Sequence, residues 1–202
     1  MIITISGTPG SGKDTVAKII SKKFGMKLYQ MGNLCRELAA KHKLTLQELN
    51  ELGEKEIWID TEIDNKTTEL GKKEDNFIAV GRTAYHFIPH SIKIYLDVEL
   101  DKAAGRIMHD RENRKNENIQ RNIRKEIELI KERIESDRSR YKKHYSIDIT
   151  DQNNYDLWID TTKINAKQVA DQIIKFIKIR ITERVSQTLR NNKHEPKEYR
   201  GL

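Results

Sequence analysis

The sequence has one cysteine and no long apolar run. Cys35 is the only cysteine in 202 residues, so no internal disulfide can form, and no spacing of cysteine and histidine resembles a zinc site. The apolar runs are short, as in residues 1–5, and fall far below the ~20 residues that span a membrane. No secretory signal is recognised either. These absences predict a cytoplasmic protein without membrane segments.

Hydrophobic and aromatic residues are also scarce. Hydrophobic residues make up 36% and charged residues 34% of the chain, so much of its surface must be solvated. The length fits one domain, or one domain with an embedded lid. The net charge of +7 suits a nucleic acid or a small phosphorylated substrate equally well. The arginines between residues 106 and 140 have almost no aromatic neighbours, which disfavours a single-strand binder.

Short buried strands alternate with helices along the chain. Strands are predicted at residues 1–6, 27–29, 77–80, 92–96 and 157–159. Helices are predicted at residues 13–24, at 33–42 behind an Asn33 cap, and from a Thr45–Glu48 capping box in broken form to residue 70, with Trp58 in the core. Further helices are predicted at residues 100–141, with a polar break at 111–118, and at 165–181 behind an Asn165–Gln168 cap. This order predicts an α/β fold: a parallel sheet of about five strands with helices on both faces, in three α/β/α layers.

A glycine-rich segment lies between the first strand and the first helix. The sequence G-T-P-G-S-G-K-D at residues 7–14 fits the phosphate-loop spacing G-x-x-x-x-G-K, with aspartate where serine or threonine is expected. A glycine turn with a chance lysine would leave the preceding buried strand unexplained. The predicted nucleotide-binding residues are Gly7, Thr8, Pro9, Gly10, Ser11, Gly12, Lys13, Asp14 and Thr15.

Several segments resemble nucleoside monophosphate kinases of the P-loop NTPase class. The loop followed by Thr15 is similar to theirs, and M-G-N-L-C-R-E-L at residues 31–38 is similar to their acceptor-binding helix. V-G-R-T at residues 80–83 resembles an element of cytidylate kinases. The resemblance implies that Arg36 and Arg82 hold the acceptor phosphate and that Arg106 contacts the donor nucleotide at the start of a helical lid.

The segment R-I-E-S-D-R-S-R at residues 133–140 discriminates most between activities. Arg133, Asp137 and Arg140 share one helix face, a pattern that by itself is most often a solvated ladder of salt bridges. The same order resembles archaeal-type cytidylate kinases. In that family it implies that Arg133 clamps the transferring phosphoryl group, together with Lys13, while Asp137 and Arg140 recognise cytosine.

Two positions depart from the family pattern. Val80 stands where many relatives have an acidic residue that organises magnesium, and we hypothesise that Asp14 replaces it as a metal ligand. Thr83 stands where bacterial cytidylate kinases often have aspartate, which leaves the choice between ribose and deoxyribose open.

The resemblance implies a kinase that uses ATP and Mg²⁺ to convert CMP, and dCMP, to the diphosphate, giving ADP. Residues 1–181 would form the kinase domain, with acceptor-binding helices at about 31–72 and a lid at about 106–140. Residues 182–202 would form a basic, poorly ordered tail. A monomer without membrane or nucleic-acid partners is expected. The alternatives are an adenylate or broad-specificity monophosphate kinase, and a nucleotide-dependent RNA-binding or assembly factor.

Overall fold

The computed structural model describes residues 1–56, 58–110 and 119–192. Five parallel strands form one sheet in the order β2-β3-β1-β4-β5. The strands are β1 (Ile2–Gly7), β2 (Lys27–Gln30), β3 (Phe77–Val80), β4 (Ile92–Asp97) and β5 (Leu157–Asp160). The residues of β3 are buried throughout, which is why its sequence is apolar without polar alternation. The predicted five-stranded parallel sheet is confirmed.

Helices cover both faces of this sheet. They are α1 (Lys13–Phe24), α2 (Met31–Lys41), α3 (Leu46–Lys55), α4 (Trp58–Lys73), α5 (Ala84–Phe87), α6 (Leu100–His109), α7 (Ile123–Tyr145) and α8 (Ala166–Asn192). On one face, α1 and α8 pack on Ile3 and Ile5 of β1; on the other, Phe77 of β3 packs with Met31 and Ile88. The predicted three-layer arrangement is therefore confirmed. No described helix is long and apolar enough to cross a membrane.

Local signals fixed several helix boundaries. Thr45 and Glu48 form the predicted capping box, and Asn165 and Gln168 each donate a backbone N–H to the other's side chain. The predicted break between α6 and α7 falls at residues 111–118, which lie outside the described residues, as does part of the predicted lid.

Three predictions about the helices are wrong. Helix α2 begins at Met31 rather than Asn33, because β2 leads directly into it and burial of Met31 favours the earlier start. Trp58 is 37% exposed beside His42 instead of lying in the core. Helix α8 continues past residue 181 to Asn192. Polar residues alone do not end a helix, and this segment contains no glycine or proline. The hydroxyl of Thr182 donates to the carbonyl of Lys178 at 3.0 Å.

The strand ends bring the predicted site residues to one rim of the sheet. Gly7 ends β1, Val80 ends β3 and Asp97 ends β4, so the three carboxyl ends are neighbours. The hydroxyl of Thr8 donates to Oδ1 of Asp97 at 2.6 Å and fixes the chain after β1 against β4.

Candidate active site

The phosphate loop is held against β4 at its start. The N–H of Thr8 donates to the carbonyl of Leu96 at 3.0 Å, and a Cβ on Gly7 would lie 2.3 Å from that same carbonyl oxygen. Gly7 and Thr8 therefore anchor the loop. They do not line either of the two cavities described below, although the sequence placed them among the nucleotide-binding residues.

The rest of the loop is shaped to receive an anion. Gly10 and Gly12 adopt positive φ values of 82° and 84°, a conformation that favours glycine. A Cβ on Gly10 would lie 2.8 Å from the backbone of Ala103, so the loop packs tightly against α6. Gly12 is the N-cap of α1 and makes no side-chain cap hydrogen bond. The first-turn N–H groups of α1 therefore have no side-chain cap and suit a phosphate group.

A cavity of about 840 Å³ opens on one side of the loop. Its walls come from Gly10–Thr15, from α6 and from the loop between β5 and α8. Arg106 on α6 is fixed there, since its Nη2 donates to the carbonyl of Thr161 at 2.7 Å and its Nη1 to the Thr161 hydroxyl at 3.0 Å. This volume lies within the usual range for small-molecule and cofactor sites. We call it the donor cavity.

A second cavity opens on the other side of the loop, and we call it the acceptor cavity. Arg36, Arg82, Arg133 and Arg140 line it, so the cavity brings together three arginines predicted to bind the acceptor and one predicted to clamp the transferring group. Its remaining walls are Pro9, Gly10, Lys13, Asp14, Gln30, Met31, Gly32, Cys35, Asp60, Ile63, Asp64, Val80, Gly81, Thr83 and Tyr141. The two cavities share Gly10, Lys13 and Asp14 as a common wall. A group bound at this wall is accessible from both cavities.

A buried chain of ion pairs runs behind the acceptor cavity. Nε of Arg82 lies 2.6 Å from Oδ2 of Asp137, and Nη2 of Arg140 lies 3.1 Å from Oδ1. Nε of Arg140 also lies 3.4 Å from Oδ2 of Asp60. The side chains of Asp137, Arg140 and Asp60 are 7%, 6% and 8% exposed. A solvated ladder is therefore excluded for Asp137 and Arg140.

Asp137, which the sequence predicts to recognise the acceptor base, contacts two arginines that line the acceptor cavity. It is absent from the walls of the acceptor cavity, and both of its carboxylate oxygens are engaged by Arg82 and Arg140. The reason is that α7 turns Asp137 toward the carboxyl end of β3, where Arg82 follows directly. Asp137 therefore forms ion pairs with both Arg82 and Arg140 and restrains their side chains.

Two aspartates on α4 were not predicted from the sequence. Asp60 and Asp64 line the acceptor cavity. Oδ1 of Asp64 accepts from the Thr83 hydroxyl at 2.9 Å and Oδ2 accepts from the Tyr145 hydroxyl at 2.6 Å. Burial raises the pKa of Asp64 to about 6. Their spacing of four residues beside the apolar Ile59 and Ile63 was an available signal, because a carboxylate on the inner face of a helix needs a partner.

Asp14 lies on the wall that both cavities share. Its Oδ1 accepts from Nε2 of Gln30 at 2.6 Å. Thr15, the next residue, faces the donor cavity, and Val80 lines the acceptor cavity. Among the described residues no group of three or more His, Cys, Asp or Glu side chains forms a metal site. A single carboxylate next to substrate phosphates nevertheless fits Mg²⁺, which proteins usually bind through one or two carboxylates plus phosphates.

The sequence matches a known protein family and its curated members. The chain matches the Cytidylate kinase-like family over residues 2–163. It is 40% identical over 177 residues to a cytidylate kinase of Methanocella arvoryzae, covering 88% of this chain and 97% of that protein. A cytidylate kinase of Archaeoglobus fulgidus is 35% identical over 181 residues, covering 89% and 96%.

Solved structures share the fold at lower identity. An uncharacterized protein from Eubacterium ventriosum superposes with a TM-score of 0.65 at 22% identity, covering 88% of this chain and 98% of that one. A shikimate kinase from Acinetobacter baumannii, in complex with shikimate, gives 0.56 at 17%, covering 89% and 93%. The family match itself extends from β1 past the end of β5. It therefore includes the whole lining of the acceptor cavity and most of the lining of the donor cavity. The chain belongs to the Cytidylate kinase-like family.

Proposed function

We propose that this protein transfers the γ-phosphoryl group of ATP to the 5′-phosphate of CMP, giving CDP and ADP. The observation that carries the proposal is the wall of Gly10, Lys13 and Asp14 shared by two cavities. ATP in the donor cavity and CMP in the acceptor cavity would meet at that wall. An oxygen of the CMP phosphate attacks the γ-phosphorus, and the bond to the β,γ-bridging oxygen breaks as ADP leaves.

The substrate phosphate is its own nucleophile, so the protein's work is to position it and to neutralise charge. Lys13 lies at the shared wall and Arg133 lines the acceptor cavity, so both can hold the transferring group. Arg106 would hold the donor from its fixed place beside Thr161. Arg36 on α2 and Arg82 at the end of β3 would hold the acceptor phosphate.

Mg²⁺ fits the phosphate end of the site. When bound, it neutralises charge on the donor phosphates. Asp14 is the residue we propose to hold it, directly or through water, in place of the acidic residue that Val80 replaces. Gln30 orients the Asp14 carboxylate through the hydrogen bond at 2.6 Å. Thr15, one residue further on, contributes a hydroxyl on the donor side.

Four finer assignments belong to the same proposal. dCMP is accepted as well as CMP, the enzyme acts as a monomer, and the reaction takes place in the cytoplasm, where a single cysteine is expected to stay reduced. The domain ends near residue 181, where α8 has left the body of the fold, and the helix beyond it is not needed for catalysis. The last described residue of α8 that is buried is Ile177.

A coupled assay for ADP formation tests the proposed function. The purified chain is given ATP, Mg²⁺ and one of CMP, dCMP, UMP, AMP, GMP or dTMP. We expect turnover with CMP and dCMP and far less with the others. Preference for AMP would instead favour an adenylate kinase. ATP hydrolysis without any acceptor turnover, together with RNA binding that weakens steeply with salt, would favour the RNA-binding alternative.

A further inference from the structure

Thr161, the residue that follows β5, lies between the phosphate loop, β4 and α6. It is 1% exposed, and its N–H donates to the carbonyl of Asp97 at 2.9 Å. Its hydroxyl oxygen lies 2.9 Å from that carbonyl and 3.2 Å from the carbonyl of Ser11. The same oxygen accepts a hydrogen bond from Nη1 of Arg106 at 3.0 Å. One hydroxyl therefore joins the phosphate loop to the arginine of the donor cavity.

The carbonyl of Ser11 depends on this hydroxyl more than the carbonyl of Asp97 does. A hydroxyl has one hydrogen, which the two carbonyls must share. Asp97 also accepts the N–H of Thr161, so it keeps a partner when that hydrogen is donated to Ser11. The side chain of Ser11 gives no further support, because its buried Oγ has no hydrogen-bond partner within the described part of the chain. The Thr161 hydroxyl therefore restrains the carbonyl of Ser11.

The carbonyl of Ser11 and the N–H of Gly12 belong to one peptide group. Because this group is planar and trans, the N–H points in the direction opposite to the carbonyl, and hence away from Thr161. Gly12 has a φ of 84° and is the N-cap of α1. N–H groups at this end of a helix suit a phosphate group. By restraining the carbonyl, Thr161 sets the direction of an N–H that the loop offers to a phosphate.

The same residue restrains Arg106 at two points. Besides the contact of Nη1 with the hydroxyl, Nη2 donates to the backbone carbonyl of Thr161 at 2.7 Å. Nη1 also lies 3.4 Å from the carbonyl of Gly10, in the phosphate loop. The guanidinium and the peptide between Ser11 and Gly12 are thus oriented by one side chain before any ligand binds. Such pre-organisation lowers the free-energy cost of binding.

We propose that Thr161 is a positioning residue for the phosphate donor, whose hydroxyl sets the Gly12 N–H and the Arg106 guanidinium in the arrangement that binds ATP. This inference rests on the proposed function for the identity of the donor. Thr161 is not a catalytic residue, because its hydroxyl is engaged by protein groups and acts through them. Thr161 does not line the acceptor cavity, so its effect belongs to the donor alone.

The test replaces Thr161 by valine, which removes the hydroxyl and keeps the branched shape. We expect kcat/KM for ATP to fall roughly 10- to 100-fold, because the carbonyl of Ser11 and an N–H of Arg106 lose a buried partner. The KM for CMP should change by less than about twofold. The dissociation constant of ADP, measured by calorimetry without any acceptor, should rise at least about fivefold.

Three further variants make the outcome specific to the hydroxyl. Thr161→Ser keeps it and should restore kcat/KM for ATP to within about threefold of wild type. Thr4→Val removes another buried hydroxyl, which lies 2.9 Å from Oγ of Ser91 on the sheet and lines neither cavity. It should lower Tm and leave the KM for ATP unchanged. If Thr161→Val does not fold, Thr161→Ala removes the same hydroxyl without added bulk and should show the same loss.

Three results would overturn the inference. They are an unchanged kcat/KM for ATP in Thr161→Val, a loss that Thr161→Ser does not restore, and a rise of similar size in the KM for ATP and for CMP. Wild type that binds ADP but phosphorylates no acceptor would instead overturn the proposed function. The binding of ADP to Thr161→Val would still test the role of the hydroxyl, so the two failures are distinguishable.

Discussion

Replacing Asp137 by asparagine should destabilise the protein strongly. Asp137 is 7% exposed and lies within 3.1 Å of both Arg82 and Arg140. Without its charge, two buried or half-buried arginines would stay close together with only Asp60 to balance them. Breaking one buried ion pair by removing a partner costs about 3–5 kcal/mol. For a chain of this size that corresponds to a fall in Tm of roughly 6–20 °C.

Thermal and urea unfolding of the purified variants measure this loss. Glu69→Gln, which breaks the exposed pair with Lys73 on α4, serves as the control and should cost no more than about 0.5 kcal/mol. Adding Arg82→Gln to Asp137→Asn should recover part of the lost stability, because the second change removes a charge left without its partner. The two effects should therefore be less than additive.

A small loss would refute this reasoning. If the free energy of unfolding of Asp137→Asn lies within about 1 kcal/mol of the wild-type value, the carboxylate is not the centre of a buried charge network. If the double variant loses the full sum of the two single changes, the Arg82–Asp137 contact at 2.6 Å contributes nothing as a pair.

Four other predictions follow from the same contacts. The pKa of Asp64 is raised from 3.8 to about 6 in the folded chain, so the folded state binds its proton more tightly than the unfolded state. The free energy of unfolding of wild type, relative to that of Asp64→Asn, should therefore fall by up to about 3 kcal/mol from pH 4 to pH 7 when measured by urea unfolding. The same pH dependence of that free energy in both proteins would contradict this prediction. Asp14→Asn should raise the Mg²⁺ concentration needed for half-maximal activity, and an unchanged Mg²⁺ titration would exclude Asp14 from the metal site. Arg133→Met should lower kcat by roughly 10³-fold or more in the coupled assay, with a much smaller effect on the apparent affinity for ATP. Removing residues 182–202 should leave kcat and Tm unchanged, because the described side chains beyond Ile177 are not buried; a loss of kcat would give the end of α8 a catalytic role.

The fold could be predicted from the sequence because the local pattern of apolar and polar residues depends directly on which residues are buried. A strand such as β3, buried on both faces, can only be apolar, and Phe77–Val80 was predicted from that property alone. The phosphate loop was predictable because its glycines and lysine are adjacent in sequence. The end of α8 was not, since exposed polar residues such as Thr182 fit a loop and a solvated helix equally well.

Individual residues of the candidate site could be predicted from the sequence, but the pairing between them could not. Arg36, Arg82, Arg133 and Arg140 do line one cavity, but which carboxylate faces which arginine depends on how α4 and α7 pack against each other. The role of Asp60 in this lining could not be predicted, because no helical periodicity pairs a residue of α4 with an arginine on another helix.

With the roles proposed above, the placement of Arg133 and Arg140 on one helix would connect base recognition to phosphoryl transfer. Seven residues of α-helix span roughly 10 Å, which is similar to the distance between the phosphate and the base of one nucleotide. Both arginines line the acceptor cavity, and we propose that Arg133 contacts the phosphate of the acceptor while Arg140 contacts its base. Because a rigid helix carries both contacts, an acceptor whose base does not fit at Arg140 also misplaces its phosphate relative to Arg133. We therefore expect discrimination against UMP to lower kcat as well as raise KM.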